Sequence, residues 1–444
     1  MSRRLAERIE LQSKRLQPQQ KAGAQPSPGH LHDKGSTARS LILAGLPVLA
    51  AVAYYSTAAV LILLAGVLFL AAAFSPAAKA LPRPLDWGVL MVLLYEIPSL
   101  WLSRFPANGV ASARIVCAAV LFYFAFRVAS SMLEKMLLVS VLVGIGGLAL
   151  TWIAVTRFDG QFHAMQTAGF SNVVAFRARL IVPGPRWVLG EWFTLVLSTL
   201  PFAFAVTVWC WLERRRAFAA VAAVVPIFII AALLLPCSRA VFWSIVVFVV
   251  AAAGMSAAYR VFRGKTTVLL ATVVLAVAGA VLLTENAIYP GVAGAYLLRQ
   301  SSQVRSTEGR LTIWKRSAEI FKLAPVWGVG SGNTPLFLAS SADQEETTGF
   351  ASRTYSLPLQ VLTEKGAIGA ALYLSVLILA GWEAHRKLRN PKISPQMKGL
   401  TCCLVAGVAA VLFRELTYSS LLEHAATAML FTMSLALLAA GETA

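Results

Sequence analysis

The stretch RRRAFAAVAAVVPIFIIAALLLP, residues 214–236, contains the pattern that decides the fold: three consecutive arginines followed by a long apolar run. A helix needs about 20 consecutive apolar residues to cross the hydrocarbon core of a bilayer. Arginines beside such a run favour the cytoplasmic side of the membrane. The stretch therefore predicts a transmembrane helix over 217–236 that begins in the cytoplasm.

Similar apolar runs recur through most of the chain. Of its 444 residues, 58% are hydrophobic and 13% are charged, whereas soluble domains contain about 25% charged residues. The sequence therefore predicts an all-α, polytopic membrane protein with about twelve transmembrane helices. We place these helices near residues 40–55, 57–75, 86–103, 111–129, 136–155, 189–211, 217–236, 239–258, 266–285, 366–383, 398–413 and 421–440.

Basic residues sort to one side of the predicted helices. Clusters in the N-terminal tail and at 214–216, 260–265 and 385–389 all lie on the same side as the N terminus. The positive-inside rule makes that side cytoplasmic, and an even number of helices places both termini there. This distribution accounts for most of the net charge of +19. Because no basic stripe is interleaved with base-stacking aromatic residues, we expect membrane lipids and no nucleic acid as partners.

The predicted helices divide the chain into four parts. Residues 1–39 are polar and basic, and we expect a disordered cytoplasmic tail. Residues 40–285 contain the first nine helices, with an outer loop near 156–188. Residues 286–355 form a long loop on the same outer side, and residues 356–444 contain the last three helices.

The long outer loop is expected to contain an amphipathic helix. Its apolar residues recur at helical spacing between residues 308 and 322, and they are Leu311, Trp314, Ala318, Ile320 and Phe321. A helix with aromatic residues on its apolar side lies at the membrane interface, at the depth of the lipid headgroups. Pro325 ends the predicted helix, and a tight turn follows over residues 328–333.

Two arginines near the predicted outer face indicate an anionic ligand. Arg239 follows Ser238 at the edge of a predicted span, and Arg310 lies in the long loop. A guanidinium group keeps its proton in proteins, so its charge near the bilayer needs an anion or a buried carboxylate. A lipid-linked diphosphate is an anion found at that depth. We therefore predict that Ser238, Arg239 and Arg310 belong to a substrate site.

The motifs around these arginines follow a recognisable order. The series is Ser238-Arg239, Arg310-x-x-x-Trp314, Pro325-x-x-Gly328-x-Gly330-x-Gly332-Asn333 and Leu359-Gln360-x-Leu362-x-Glu364-x-Gly366. This ordered set, from about residue 236 to 377, covers roughly a third of the chain. It resembles the O-antigen ligase and O-antigen polymerase superfamily of polytopic membrane glycosyltransferases.

The resemblance implies an inverting, metal-independent glycosyltransferase at the periplasmic face of the bacterial inner membrane. Its donor would be a glycan on undecaprenyl diphosphate, and its acceptor either the lipid A core or another lipid-linked glycan. Carried over to this chain, Arg239 and Arg310 would bind the donor diphosphate, whose charge grows as the anomeric C–O bond breaks. The carboxylate run at 343–346 lacks the spacing of a metal cage, so we expect no metal and no cofactor.

One position departs from the family pattern. Members usually carry a His-Asn pair shortly before the Leu-Gln motif, where this chain has Tyr355-Ser356. A tyrosine with a pKa of about 10 is a poor base at neutral pH, although it can orient a hydroxyl group. We therefore predict a catalytic set of Arg239, Arg310, Tyr355 and Glu364, with Glu364 as a candidate base. Glu423 and His424 are further candidates for that base.

Other polar or aromatic residues could contact the substrate. The candidates are Arg177, Arg179, Arg186, Glu191 and Trp314. Each also has a structural explanation: solvated or anchoring arginines, an aromatic belt at the interface, or a carboxylate facing a cavity. For Glu96, inside a predicted span, we expect a structural hydrogen bond.

Three functions stay open at this point. The missing histidine slightly favours a repeat-unit polymerase of O-antigen or exopolysaccharide over a ligase that joins glycan to lipid A core. A secondary transporter with about twelve helices is the alternative of another class, but it predicts two similar halves and a long central cytoplasmic loop. The sequence shows no internal repeat and only a short turn at 213–216. A non-catalytic assembly scaffold is the third possibility.

Overall fold

The computed structural model describes residues 83–103, 105–129, 133–169, 189–234, 238–261, 301–340 and 354–440, together with residues 279, 280, 283 and 287. Within these ranges all regular structure is helical. The helices are α1 (Pro84–Trp101), α2 (Pro106–Ala129), α3 (Leu133–Thr167), α4 (Leu189–Leu212), α5 (Arg216–Leu234), α6 (Arg239–Ala258), α7 (Ser301–Leu323), α8 (Thr334–Ser340), α9 (Leu357–Arg389), α10 (Pro395–Glu415) and α11 (Ala425–Ala439).

Seven of the described helices are long and apolar enough to cross a membrane, namely α2 to α6, α9 and α10. An all-α, multi-pass membrane protein is therefore confirmed for the described part of the chain. The predicted spans near 40–55 and 57–75 lie outside the described residues, as does most of the span near 266–285. The total of about twelve helices, the four-part division of the chain and the side of the termini stay predictions.

Predicted spans in the described ranges coincide with helices, and the largest differences from expectation are at the end of α3 and the start of α9. Helix α3 continues to Thr167 instead of ending near 155, and it enters the predicted outer loop. Its extension is polar; His163 and Asp159, one turn apart, approach to 3.5 Å between Nε2 and Oδ1. Helix α9 begins at Leu357 instead of near 366, because it continues across a kink at Gly366.

The helices pack around two apolar clusters. One cluster joins α1, α2, α9 and α11 through residues such as Leu85, Phe126, Val376 and Met433. The other joins α4, α5, α6 and α10 through residues such as Leu200, Ile229, Ile245 and Val411. Helices α4 and α10 approach closely because Gly407 faces the ring of Pro201, where a side chain would not fit.

Polar contacts distinguish the two ends of the bundle. At one end, Thr194 near the start of α4 donates to Glu415 at the end of α10, with 3.4 Å between Oγ1 and Oε1. We call this the site end. At the other, the opposite end, Arg83 before α1 donates to the carbonyl of Ala439 at the end of α11 over 2.6 Å. Helices α4 and α10 therefore run in opposite directions, and so do α1 and α11.

Candidate active site

Helix α7 carries Arg310 and packs on the protein through one face. Its buried positions are Ile313, Ser317 and Ile320, which lie one turn apart. The two isoleucines pack with Val329 and Leu338, from the segment that follows α7, into a small apolar cluster. The predicted helix, and its end before Pro325, are therefore confirmed.

The apolar face of α7 is displaced from the predicted one. Leu311 is 48% exposed and Ala318 is also exposed, whereas Trp314 and Phe321 are half-buried as expected. Ser317 takes a buried position because its hydroxyl donates to the carbonyl of the residue one turn earlier, over 2.8 Å. Hydrophobicity alone misplaced the face, since it scores this serine as polar.

The glycine-rich segment after α7 is held against the start of α9 by backbone hydrogen bonds. Val329 N donates to the carbonyl of Thr363 over 2.8 Å, and Ala367 N donates to the carbonyl of Pro325 over 2.8 Å. The second bond uses an amide that the kink at Gly366 releases from the helix. The predicted tight turn is confirmed, and it joins α7 to α9.

Glycine is required at two points of this contact. Gly328 has a φ of 76° and Gly366 a φ of 65°, a region that side chains rarely tolerate. A Cβ atom on Gly328 would meet the backbone of Glu364, and one on Gly366 would meet the backbone of Val326. The glycine pattern is thus explained by the close approach of two backbone segments.

A buried ion pair ties α1 to the same region. Lys365 Nζ lies 2.6 and 2.5 Å from the two carboxylate oxygens of Glu96 and also contacts the hydroxyl of Ser331. Ser331 in turn hydrogen-bonds Glu96 over 3.2 Å and Ser99 over 3.1 Å. These contacts use all three donors of the ammonium group. The structural role expected for Glu96 is confirmed.

Glu364 lies beside this pair and is fully buried. Its carboxylate accepts a hydrogen bond from Gln360 over 3.4 Å, one turn earlier on α9. A general base must reach the acceptor hydroxyl, and a fully buried carboxylate does not. Its position therefore supports a role in packing the loop, and its predicted catalytic role stays a prediction.

Arg310 contacts Tyr355. Its Cζ atom lies 5.7 Å from the ring centroid of Tyr355, within the range of cation–π contacts. Tyr355 adopts a φ of 51°, which is uncommon for an aromatic residue. Its predecessor Thr354 is fixed because Trp314 Nε1 donates to the Thr354 carbonyl over 3.1 Å. The structure thus brings together Arg310, Trp314 and Tyr355.

Two further residues, not assigned from the sequence, continue this contact. The ring of Tyr355 packs edge-on against that of Tyr418, with centroids 6.0 Å apart. Arg414, which is buried, places its Cζ atom 4.8 Å from the centroid of Tyr418. Two tyrosines are therefore flanked by two arginines. The available signal was the charged pair Arg414-Glu415 in the last turn of an apolar helix.

Glu415 fixes the loop that carries Tyr418. Its carboxylate accepts hydrogen bonds from Ser420 N over 2.7 Å, from Ser420 Oγ over 2.5 Å and from Leu421 N over 3.1 Å. Thr194 adds a fourth donor from α4. Residues 416–424 are consequently folded back on the end of α10, and we call them the α10–α11 loop.

Arg239 lies at the same end of the bundle. It is the first residue of α6, and Ser238 before it is the N-cap and is buried. Helices α6 and α10 run in opposite directions, because Ser256 near the end of α6 lies against Cys402 near the start of α10. The first residue of α6 therefore lies beside the end of α10, where Arg414 is found.

Several predicted substrate contacts fall outside the description. Arg177, Arg179 and Arg186 are not among the described residues, and for Glu191 only the position in α4 is described. Within the described ranges, no group of three or more His, Cys, Asp or Glu side chains could hold a metal ion. The substrate contacts predicted for Arg177, Arg179, Arg186 and Glu191 stay predictions.

Comparison with known proteins adds one finding. Residues 227–374 match the model of a protein family described as O-Antigen ligase. The matched segment begins in α5 and ends in α9, so it contains Arg239, Arg310, Tyr355 and the glycine-rich turn. The resemblance inferred from the motif order is confirmed by this match. No curated protein matches the chain.

Proposed function

We propose that this chain, whose residues 227–374 match the O-antigen ligase family, is a membrane enzyme that transfers a glycan in surface polysaccharide assembly. The reaction is the transfer of a glycan from undecaprenyl diphosphate to an acceptor glycan, with inversion at the anomeric carbon. It takes place at the periplasmic face of the inner membrane. Neither a metal ion nor another cofactor is required in this proposal.

The observation that supports the proposal is the position of Arg310 and Arg414 on either side of the contacting rings of Tyr355 and Tyr418. Arg239, the first residue of α6, is placed with them in this proposal. Breaking the anomeric C–O bond releases a diphosphate whose negative charge grows in the transition state. Fixed guanidinium groups bind phosphate oxygens through two hydrogen bonds each and stabilise this charge where it develops. Arg239 and Arg310 take this role because the family motifs contain both of them.

The aromatic residues give Arg310 a fixed position. Its contact with Tyr355 restricts the guanidinium, and Trp314 holds the backbone before Tyr355 in place. The Tyr355 hydroxyl then orients the acceptor hydroxyl toward the anomeric carbon. Ser238, Arg177, Arg179, Arg186 and Glu191 complete the proposed substrate contacts.

A repeat-unit polymerase is the form of the activity that we propose first. The position where the family usually has a His-Asn pair holds Tyr355-Ser356 in this chain. A different acceptor is a simple reason for that difference. A ligase that joins the glycan to lipid A core is the alternative within the family, and a secondary transporter is the alternative outside it.

The test compares variants in cells that lack the native gene. Arg239→Ala and Arg310→Ala are expected to abolish long surface glycan while the protein stays in the membrane at normal abundance. Arg389→Ala, at an exposed arginine of α9 at the opposite end, is the matched control and should retain long glycan. Analysis of lipid-linked and surface glycans gives the outcome.

The glycan products separate the alternatives. Single lipid-linked repeats without long chains indicate a polymerase, whereas long lipid-linked chains that never reach lipid A indicate a ligase. Normal glycan in both arginine variants would overturn the proposal. A transport defect with normal glycan would favour the carrier instead.

A further inference from the structure

Several carboxylates lie at the site end, and they differ in how deeply they are buried. Glu96, Glu364 and Glu415 are at most 3% exposed, and each is bound by protein groups in the described structure: Lys365, Gln360 and Ser420 respectively. A general base must reach the acceptor hydroxyl, and these three side chains are almost closed to solvent. Glu423, in the α10–α11 loop, is half-buried and therefore more exposed than these three.

Glu423 is also fixed close to the tyrosine pair. Ser419 Oγ donates to Glu423 Oε1 over 3.3 Å, so the carboxylate lies beside the residue that follows Tyr418. The Glu423 backbone N donates to the carbonyl of Ser420 over 3.2 Å, which closes a turn. Glu415 pins the same loop, as described above. The carboxylate therefore lies beside Ser419, on the same loop as Tyr418.

The position of Tyr418 links this carboxylate to the proposed reaction. Its ring contacts Tyr355, and Tyr355 lies under Arg310. Glu423 therefore lies on the loop whose Tyr418 contacts Tyr355, and Tyr355 contacts the proposed diphosphate-binding Arg310. A carboxylate for the acceptor and a cation for the leaving group are the two groups that an inverting transfer requires. The base lies on the acceptor side of the anomeric carbon, and the cation lies on the leaving-group side.

We infer that Glu423 is the general base for the acceptor, an inference that rests on the proposed function. The acceptor hydroxyl oxygen forms a bond to the anomeric carbon while its proton passes to the Glu423 carboxylate. The anomeric carbon–oxygen bond breaks, and its electron pair leaves with undecaprenyl diphosphate. Glu423 thus takes the role proposed for the family's histidine, because Tyr355 is too weak a base to take it.

The test uses the full-length protein, purified in detergent, with an undecaprenyl-diphosphate-linked repeat as both donor and acceptor. Glu423→Gln removes the base and keeps the shape. Its kcat should fall by about 100-fold or more, which is typical for the loss of a general base. Donor Kd, measured by titration, should be unchanged. Glu423→Asp should restore part of kcat because it returns a carboxylate.

Glu319→Gln is the matched control. Glu319 is 69% exposed on α7 and pairs with Lys322 over 2.8 Å, so this substitution should leave both kcat and donor Kd unchanged. Arg310→Ala is the reference for the proposed function itself and should weaken donor binding. A merely structural role for Glu423 would lower thermal stability, and Asp would then not restore kcat selectively.

The outcomes keep the two claims apart. If Arg310→Ala binds donor normally and is active, the proposed function fails. If Arg310→Ala is inactive but Glu423→Gln keeps normal kcat, only the assignment of the base is overturned. A loss of kcat in His424→Gln together with a normal Glu423→Gln would transfer the role to the neighbouring histidine and would also overturn the assignment.

Discussion

The guanidinium group of Arg310 lies over the ring of Tyr355, with 5.7 Å between Cζ and the ring centroid. This contact joins the long loop helix α7 to the residue just before α9. The ring of Tyr355 in turn contacts the ring of Tyr418 on the α10–α11 loop. Three separate segments therefore meet at this pair of rings. A change at Tyr355 should therefore affect both the position of Arg310 and the loop.

Tyr355→Phe and Tyr355→Ala separate the ring from the hydroxyl. Phenylalanine keeps the cation–π and ring contacts, so donor Kd should change little, while kcat falls by about fivefold through loss of one hydrogen bond to the acceptor. Alanine also removes the ring contact, worth about 1 kcal/mol, and should weaken donor binding as well. Titration of donor and measurement of turnover check both. Equal turnover in wild type and Tyr355→Phe would exclude an orienting role for the hydroxyl.

Gly366→Ala should destabilise the kink of α9. The φ of 65° with a ψ of −169°, a backbone region essentially restricted to glycine, costs an alanine about 1–3 kcal/mol, and the new Cβ would in addition meet the backbone of Val326. The thermal unfolding midpoint in detergent should fall by several degrees. Gly381→Ala lies on the same helix with open space around the Cβ position, and it should be neutral or stabilise by about 0.5–1 kcal/mol. A midpoint of Gly366→Ala equal to that of wild type would contradict this account of the turn.

The fold was predictable because each transmembrane helix is encoded locally by an uninterrupted apolar run. Helix ends were less predictable, since a helix can extend beyond the end of its apolar run. Helix α3 continues into a polar extension that ends at Thr167, and the apolar pattern does not predict this extension. The buried face of α7 was also predicted incorrectly, because Ser317 is a polar residue that is buried with its hydroxyl hydrogen-bonded to the backbone.

The candidate site was predictable only in part. Arg239 and Arg310 each belong to a short ordered motif, so the resemblance located both. Arg414 and Tyr418 belong to no motif, and their relation to Tyr355 arises from packing between the end of α10 and the start of α9. Such a contact between distant segments leaves no local pattern in one sequence.

Removal of one partner of the Glu96–Lys365 ion pair should destabilise the protein more than removal of both partners. Lys365→Met leaves the Glu96 carboxylate buried without its cation, which costs about 3–5 kcal/mol. The double variant Glu96→Leu with Lys365→Met removes both charges and should recover much of that loss. Thermal unfolding in detergent provides the comparison. If the double variant is less stable than Lys365→Met, the pair does not act as a coupled unit.

Glu415→Gln should loosen the α10–α11 loop without removing a residue from the proposed reaction. The two loop amides donate to Oε2 and the hydroxyls of Ser420 and Thr194 donate to Oε1, so a glutamine with its one acceptor oxygen at either position loses two of these four hydrogen bonds. The expected cost is about 1–3 kcal/mol, because these bonds are made to a buried, charged group. Turnover should fall together with stability, since the loop positions Tyr418 against Tyr355. Melting curves and turnover at a temperature well below the midpoint check both effects, with Glu319→Gln as the exposed control. Full turnover in a clearly destabilised Glu415→Gln protein would show that the order of this loop is not needed for catalysis.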